Sequence, residues 1–228
     1  MSSSISQSGI VPHRAARHVP LWAAALEILL VYAGILLYIW RWQFTHPHAW
    51  VYLIVAVLAS HFAHRDTLDR LGLTSFEIRA SARIILPLAA EIYVPVVILG
   101  FAFGKLSLIA PTWRTLVSFG GYFIWCAFQQ YVAQSYFHSR LMRLTPNRHL
   151  SSLLVALLFG AAHIPNPILM AATTLGGFIL AEVFARHRNI WPLALAQTVG
   201  GFLIAALSPA SLIHNMRVGP GYFFFGLR

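Results

Sequence analysis

Long apolar runs alternate along the chain with short polar connections that carry most of the charge. Crossing about 30 Å of hydrocarbon takes about 20 helical residues, and a spanning segment must satisfy its own backbone hydrogen bonds. On that rule the pattern predicts seven helices, over residues 21–40, 49–63, 82–103, 115–142, 149–164, 167–185 and 190–208. The second and fifth are short, and the second also fits a partly inserted segment. Trp22, Trp40, Trp42, Trp50, Trp113 and Trp191 fall at or near the run ends, where indole rings anchor at the interface. The expected fold is all-α, a polytopic transmembrane helical bundle of one domain over 21–208. An N-terminal segment over 1–20 precedes it. A tail over 209–228 follows, too short and Gly-rich for another span and expected to lie at the interface on its three Phe.

Charge sets the orientation. With the N-terminus cytoplasmic, the cytoplasmic connections hold eleven Arg and the opposite side five Lys and Arg, the asymmetry that topology requires. The chain is 58% hydrophobic and 10% charged, with a mean hydropathy of +0.70, which excludes a soluble domain of ordinary composition. Its net charge of +10 is dispersed between apolar runs, so it suits lipid headgroups and not nucleic acid. The single cysteine, Cys126, excludes an intrachain disulfide and a multi-cysteine metal site. No small-residue cleavage site follows the polar N-terminus, so the first span is expected to be retained, as suits a multi-pass protein of a bacterial inner or plasma membrane.

Polar side chains inside the runs are the candidates for chemistry, because burying them in lipid is costly unless they face a wet cavity or one another. Gln129, Gln130 and Gln134 stand in one run, His163 in a second and Gln197 in a third. In α-helical geometry Gln130 and Gln134 share a face, as do Phe159 and His163. One such amide is explained by helix-to-helix hydrogen bonding of about 0.6–2 kcal/mol; five polar groups on three helices point to a common site. Glu27 and Glu91 are deeply placed and expected to be protonated or paired. Glu182 is placed to pair with Arg186 one turn on, and His61 and His64 read as interfacial. Pro165 and Pro167 bracket Asn166 in a tight bend directly after His163. The pairs Gly120–Gly121, Gly176–Gly177 and Gly200–Gly201 are expected where helices approach closely.

The spacing Gln129-Gln130-xxx-Gln134, then Phe159-xxx-His163, then Gln197 after Asn-Ile-Trp-Pro, resembles the three motifs of the CAAX protease and bacteriocin-processing family of intramembrane endopeptidases. Those motifs are written EExxxR, FxxxH and HxxxN. The stretch Arg70-Leu-Gly-Leu73 is similar to a Leu-Gly-Leu that often precedes the family's core, and the resemblance covers roughly residues 70–207. It implies a glutamate as general base on water, with histidine and asparagine stabilising the carbonyl during attack. Carried over, Gln129 and Gln130 stand at the glutamates and Gln134 at the arginine. Phe159 and His163 match, and Gln197 and Gly201 replace the third motif's histidine and asparagine.

An amide binds no proton near neutral pH, so glutamine cannot serve as that base. Two functions are therefore expected. One is a hydrolase acting on a membrane-associated or lipidated peptide, with catalytic candidates Gln129, Gln130, Gln134, His163 and Gln197, and substrate contacts from Phe159, Asn166 and Glu91. In it His163 is the natural base, since imidazole titrates near physiological pH, and Glu91 is a second candidate. The alternative is a catalytically silent relative that binds a peptide, lipid or membrane-protein partner. Neither requires a cofactor. A transporter would show a broken-helix pair in matching halves, which the sequence lacks. A zinc site is disfavoured because His163 has no HExxH partner.

Overall fold

The computed structural model describes residues 19–106 and 112–224. Helix α1 spans Leu21–Thr45 and α3 Ile78–Ala102, with α2 over Trp50–His64 between them. The rod α4 occupies 113–144, and its segment Tyr131–His138 is wound as a π-helix. Then come α5 over Arg148–Ala161, α6 over Pro167–Arg186 and α7 over Trp191–Leu207. There is no strand among the described residues. Every apolar run thus forms a helix, and local chemistry sets the ends. Asn147 Oδ1 accepts from the His149 and Leu150 amides at 2.9 and 3.4 Å, and Asn166 Oδ1 accepts from the Leu169 amide at 3.2 Å, each satisfying orphan donors of a first turn.

The bundle is apolar outside as well as inside. Phe62 is 88% exposed, and Leu29, Ile124 and Leu175 also face outward, the distribution expected of helices solvated by lipid. Helices α1, α3 and α6 are long and apolar enough to cross a membrane, while α5 and α7 are apolar but shorter. Helix α5 lies along α6, and α7 sits between α3 and α4. The tail does not simply rest on a surface. Its Gly219 amide donates to the Ile164 carbonyl at 2.8 Å and Phe224 meets Phe44 edge-on, whereas Phe225, the last of its three Phe, lies outside the described residues.

Arg140, counted from sequence among the connection charges, is a buried part of α4, 1% exposed. Its Nη2 lies 2.8 Å from Asp66 Oδ2 and its Nε 3.9 Å from Glu27 Oε2, while Nη2 also donates to Ser60 Oγ at 3.1 Å. The Ser60 hydroxyl donates to Glu27 Oε2 at 2.8 Å. His64 Nε2–H donates to the same oxygen at 2.9 Å, and Arg143 donates to the His64 Nδ1. His61 Nδ1–H donates to Asp66 Oδ2 at 2.8 Å. Glu27 is accordingly paired, and His61 is buried in the network and not interfacial. One charged lattice joins α1, α2, the following loop and α4, elements that lipid-facing packing alone would hold weakly.

The loop between α2 and α3 is fastened as firmly. Leu71 O accepts from Ser135 Oγ at 2.5 Å, Gly72 O from the Ile190 amide at 3.1 Å, and Asn189 Nδ2 donates to Thr74 and Phe76 carbonyls at 2.8 and 2.9 Å. Gly72 has φ +71°, and a Cβ there would meet the Arg188 backbone carbon at 3.0 Å. Both facts demand glycine, since this φ strains other residues and the neighbour is main chain. Gly72→Ala is expected to cost about 1–3 kcal/mol, read as a lowered unfolding midpoint in detergent; an unchanged midpoint would refute the constraint.

Candidate functional site

A cavity of about 840 Å³ opens among α3, α4, α5, α6 and α7. Its wall is mainly apolar, and no aspartate or glutamate lines it among the described residues. Its polar lining includes one residue from each of the three runs singled out above, Gln129 of α4, His163 just beyond α5 and Gln197 of α7, together with Tyr93, Tyr122, Thr173 and Ser208.

The three amides form a directed chain. Gln130 Nε2 donates to Gln197 Oε1 at 2.6 Å, and Gln197 Nε2 donates to Gln129 Oε1 at 2.5 Å. Gln130 is fully buried behind the wall, and its Oε1 has no partner. Reversing the chain would strand an NH2 with two donors there in place of one carbonyl, and orphaned N–H groups are the rarer defect. This direction also leaves the Gln129 NH2 as the free end, at the cavity. Hydrogen bonds in series polarise one another, so that NH2 is a strengthened donor facing whatever enters.

His163 is oriented with equal definiteness. Its Nδ1 lies 2.7 Å from the Phe159 carbonyl oxygen, and a carbonyl can only accept, so Nδ1 carries the proton. In the neutral ring Nε2 is then the bare acceptor. The Phe159 ring meets the imidazole edge-on, centroids 5.1 Å apart, and the Asn166 amide donates to the His163 carbonyl at 2.9 Å. The FxxxH spacing thus supplies both the acceptor and the ring that hold the histidine.

Three sequence candidates lie elsewhere. Gln134 is buried, and its Oε1 accepts from His138 Nδ1 at 3.1 Å; it does not line the cavity. Five residues on from Gln129, it stands about 140° round the rod from that cavity-lining residue even in α-helical register, and the winding from Tyr131 onward is π-helical. Asn166 is fully buried with its Nδ2 donating to the Ile213 and Arg217 carbonyls at 2.7 and 3.3 Å. Its amide therefore ties the tail to the bend and is spent on the fold. Glu91 is exposed on the outer face of α3 and does not line the cavity.

Two tyrosines were not singled out from the sequence. Tyr93 and Tyr122 both line the cavity and lie against the glycine pair of α7: a Cβ on Gly200 would meet Tyr93 Oη at 2.6 Å, and one on Gly201 would meet the Tyr122 ring at 2.8 Å. The glycines give the signal of a close approach, but only the packing says that phenols fill it. Among the other pairs Gly177 is close to Phe159 and Ala156, whereas Gly120, Gly121 and Gly176 have nothing within 4 Å, so the packing expectation fails for those three. Gly201→Asn, the change that would complete the third motif, is expected to overpack against Tyr122 by about 1–3 kcal/mol. Added Tyr122→Ala should recover most of the lost unfolding midpoint, and failure to recover would disprove the contact as its cause.

Residues 110–203 match the family model described as type II CAAX prenyl endopeptidase Rce1-like. The matched span runs from α4 into α7 and contains Gln129, Gln130, Phe159, His163 and Gln197. It supports membership of the CAAX protease family, a CAAX protease-like function at the level of the family, and an integral membrane protein. No curated protein and no solved structure matches the chain.

Proposed function

We propose that this chain is an intramembrane endopeptidase of the CAAX protease kind that takes a membrane-associated or lipidated peptide into the α3–α7 cavity, with His163 as the proton acceptor where the family uses glutamate. The observation that carries the reading is the fixed tautomer of His163, whose Nδ1–H is committed to the Phe159 carbonyl. Nε2 then takes a proton from water as its oxygen attacks the peptide carbon. Charge develops on the carbonyl oxygen, where the polarised Gln129 NH2 can donate. The imidazolium returns its proton to the departing amine, and the C–N bond breaks. The apolar wall suits a lipidated or hydrophobic segment.

A second reading has its own support. No carboxylate lines the cavity among the described residues, and the amides are bonded to one another, which suits a silent family member that holds a peptide, lipid or protein partner without cleaving it. Cleavage of a fluorogenic prenylated peptide in nanodiscs separates the two. The hydrolase reading expects wild-type turnover. A wild type that binds but does not cleave, beside a Gln129→Glu/Gln130→Glu protein that does, would establish the silent one. Gly201→Asn is left out of that restoration because of Tyr122.

In either case we place the bundle at 21–208 with its family-like core over about 70–207. The N-terminus is cytoplasmic and the passes are multiple, in an inner or plasma membrane, which the distribution of Arg supports.

A further inference from the structure

A second depression of about 760 Å³ lies between α2 and α4, lined by α4 residues other than those of the first cavity. Its α2 wall is built from Ile54, Leu58, His61 and Phe62, and Arg65 follows at the helix end. These residues recur on one helical face and change in character along it, from hydrocarbon at Ile54 to charge at Arg65. From Ile54 to Arg65 the helix rises about 16 Å, about half of a bilayer's hydrocarbon thickness. Phe128 and Tyr131 of α4 close the other side. The groove therefore runs about 16 Å along α2, from an apolar end to a cationic rim.

The rim is chemically specific. Arg65 is exposed and forms no ion pair among the described residues, while Asp66 beside it is already met by Arg140 and His61. The rim thus carries an uncompensated positive charge. His61 donates through Nδ1–H to Asp66, which leaves Nε2 as a bare acceptor in the neutral ring. That Nε2 is buried without a hydrogen-bond partner, a defect that a bound donor would repair.

We propose that this groove binds one anionic phospholipid with a hydroxyl-bearing headgroup, of the phosphatidylglycerol class. An acyl chain lies along Ile54, Leu58 and Phe128, the phosphate meets the Arg65 guanidinium, and a headgroup hydroxyl donates to His61 Nε2. The site is separate from the α3–α7 cavity and does not depend on whether that cavity is hydrolytic.

The test is lipid retention by the detergent-extracted protein in native mass spectrometry, after reconstitution in equimolar phosphatidylglycerol and phosphatidylcholine. Phosphatidylglycerol should be retained preferentially. Arg65→Asn, which keeps a residue suited to the positive φ at this helix end, should lower its retention about fivefold, the effect of one cation near an anionic surface. Arg70→Gln removes a charge from the same loop outside the groove and should leave retention unchanged. Leu58→Trp, which fills the apolar wall without altering charge, should lower it. Equal retention of the two lipids, equal losses in Arg65→Asn and Arg70→Gln, or no loss in Leu58→Trp would each overturn the site. Retention of phosphatidic acid as strong as that of phosphatidylglycerol would overturn the role given to His61.

Discussion

His163→Ala is expected to lower turnover of a prenylated peptide by about 10² to 10⁴, the usual loss when a general base is removed. That corresponds to about 3–5 kcal/mol of barrier. The expectation rests on the cavity's lining: with no carboxylate in it among the described residues, the imidazole is its ordinary proton acceptor near neutral pH. Substrate affinity should change little, because the apolar wall and the Gln129 donor remain. The pH–rate profile is the sharper readout. A protein using imidazole loses activity as that ring protonates on the acid side, whereas Gln129→Glu/Gln130→Glu should hold activity to lower pH, with a carboxylate as base. Full turnover in a purified His163→Ala sample would reject the assignment, and an identical acid limb in both proteins would show that imidazole is not the titrating base.

Arg140→Ala should be the most destabilising single change, at about 3–5 kcal/mol, because it takes their buried cation from two partly buried carboxylates, Asp66 and Glu27. Adding Asp66→Asn and Glu27→Gln to it should recover part of the loss, since much of the cost is the orphaned charge and not the missing contact. The same lattice predicts an acid transition. Burial works to raise the Asp66 carboxyl, but the hydrogen bond from His61 and the nearby Arg140 charge outweigh it and hold the group at about 2. A carboxyl depressed in the folded state stabilises it fully above its unfolded value of about 4 and ceases to do so as pH falls toward 2. That contribution is about 2 kcal/mol. Unfolding midpoints of the wild type should fall through this window, and Asp66→Asn should flatten the fall. A wild-type midpoint insensitive to pH there would disprove the pairing's contribution.

What was legible in the sequence follows from which forces act locally. Apolar runs bounded by Asn147, Asn166 and the charged loops sufficed to place α1 to α7, because lipid solvation and capping depend on a segment's own residues. The FxxxH spacing likewise placed Phe159 beside His163, since four residues in a helix return to one face. The same rule puts Gln134 on the face of Gln130, and that face is buried behind the cavity wall, which the spacing alone does not reveal.

The site itself belongs to tertiary structure. That Gln130, Gln197 and Gln129 form one chain of amides, that Tyr122 fills the space left by Gly201, and that Arg140 meets Asp66 across the bundle are decided by contacts 60 or more residues apart. A sequence determines which stretches leave water and which polar groups go with them. It does not say which partners those groups find, because a buried amide or guanidinium is stabilised by any correctly placed acceptor, and only the packing of the helices against one another selects one.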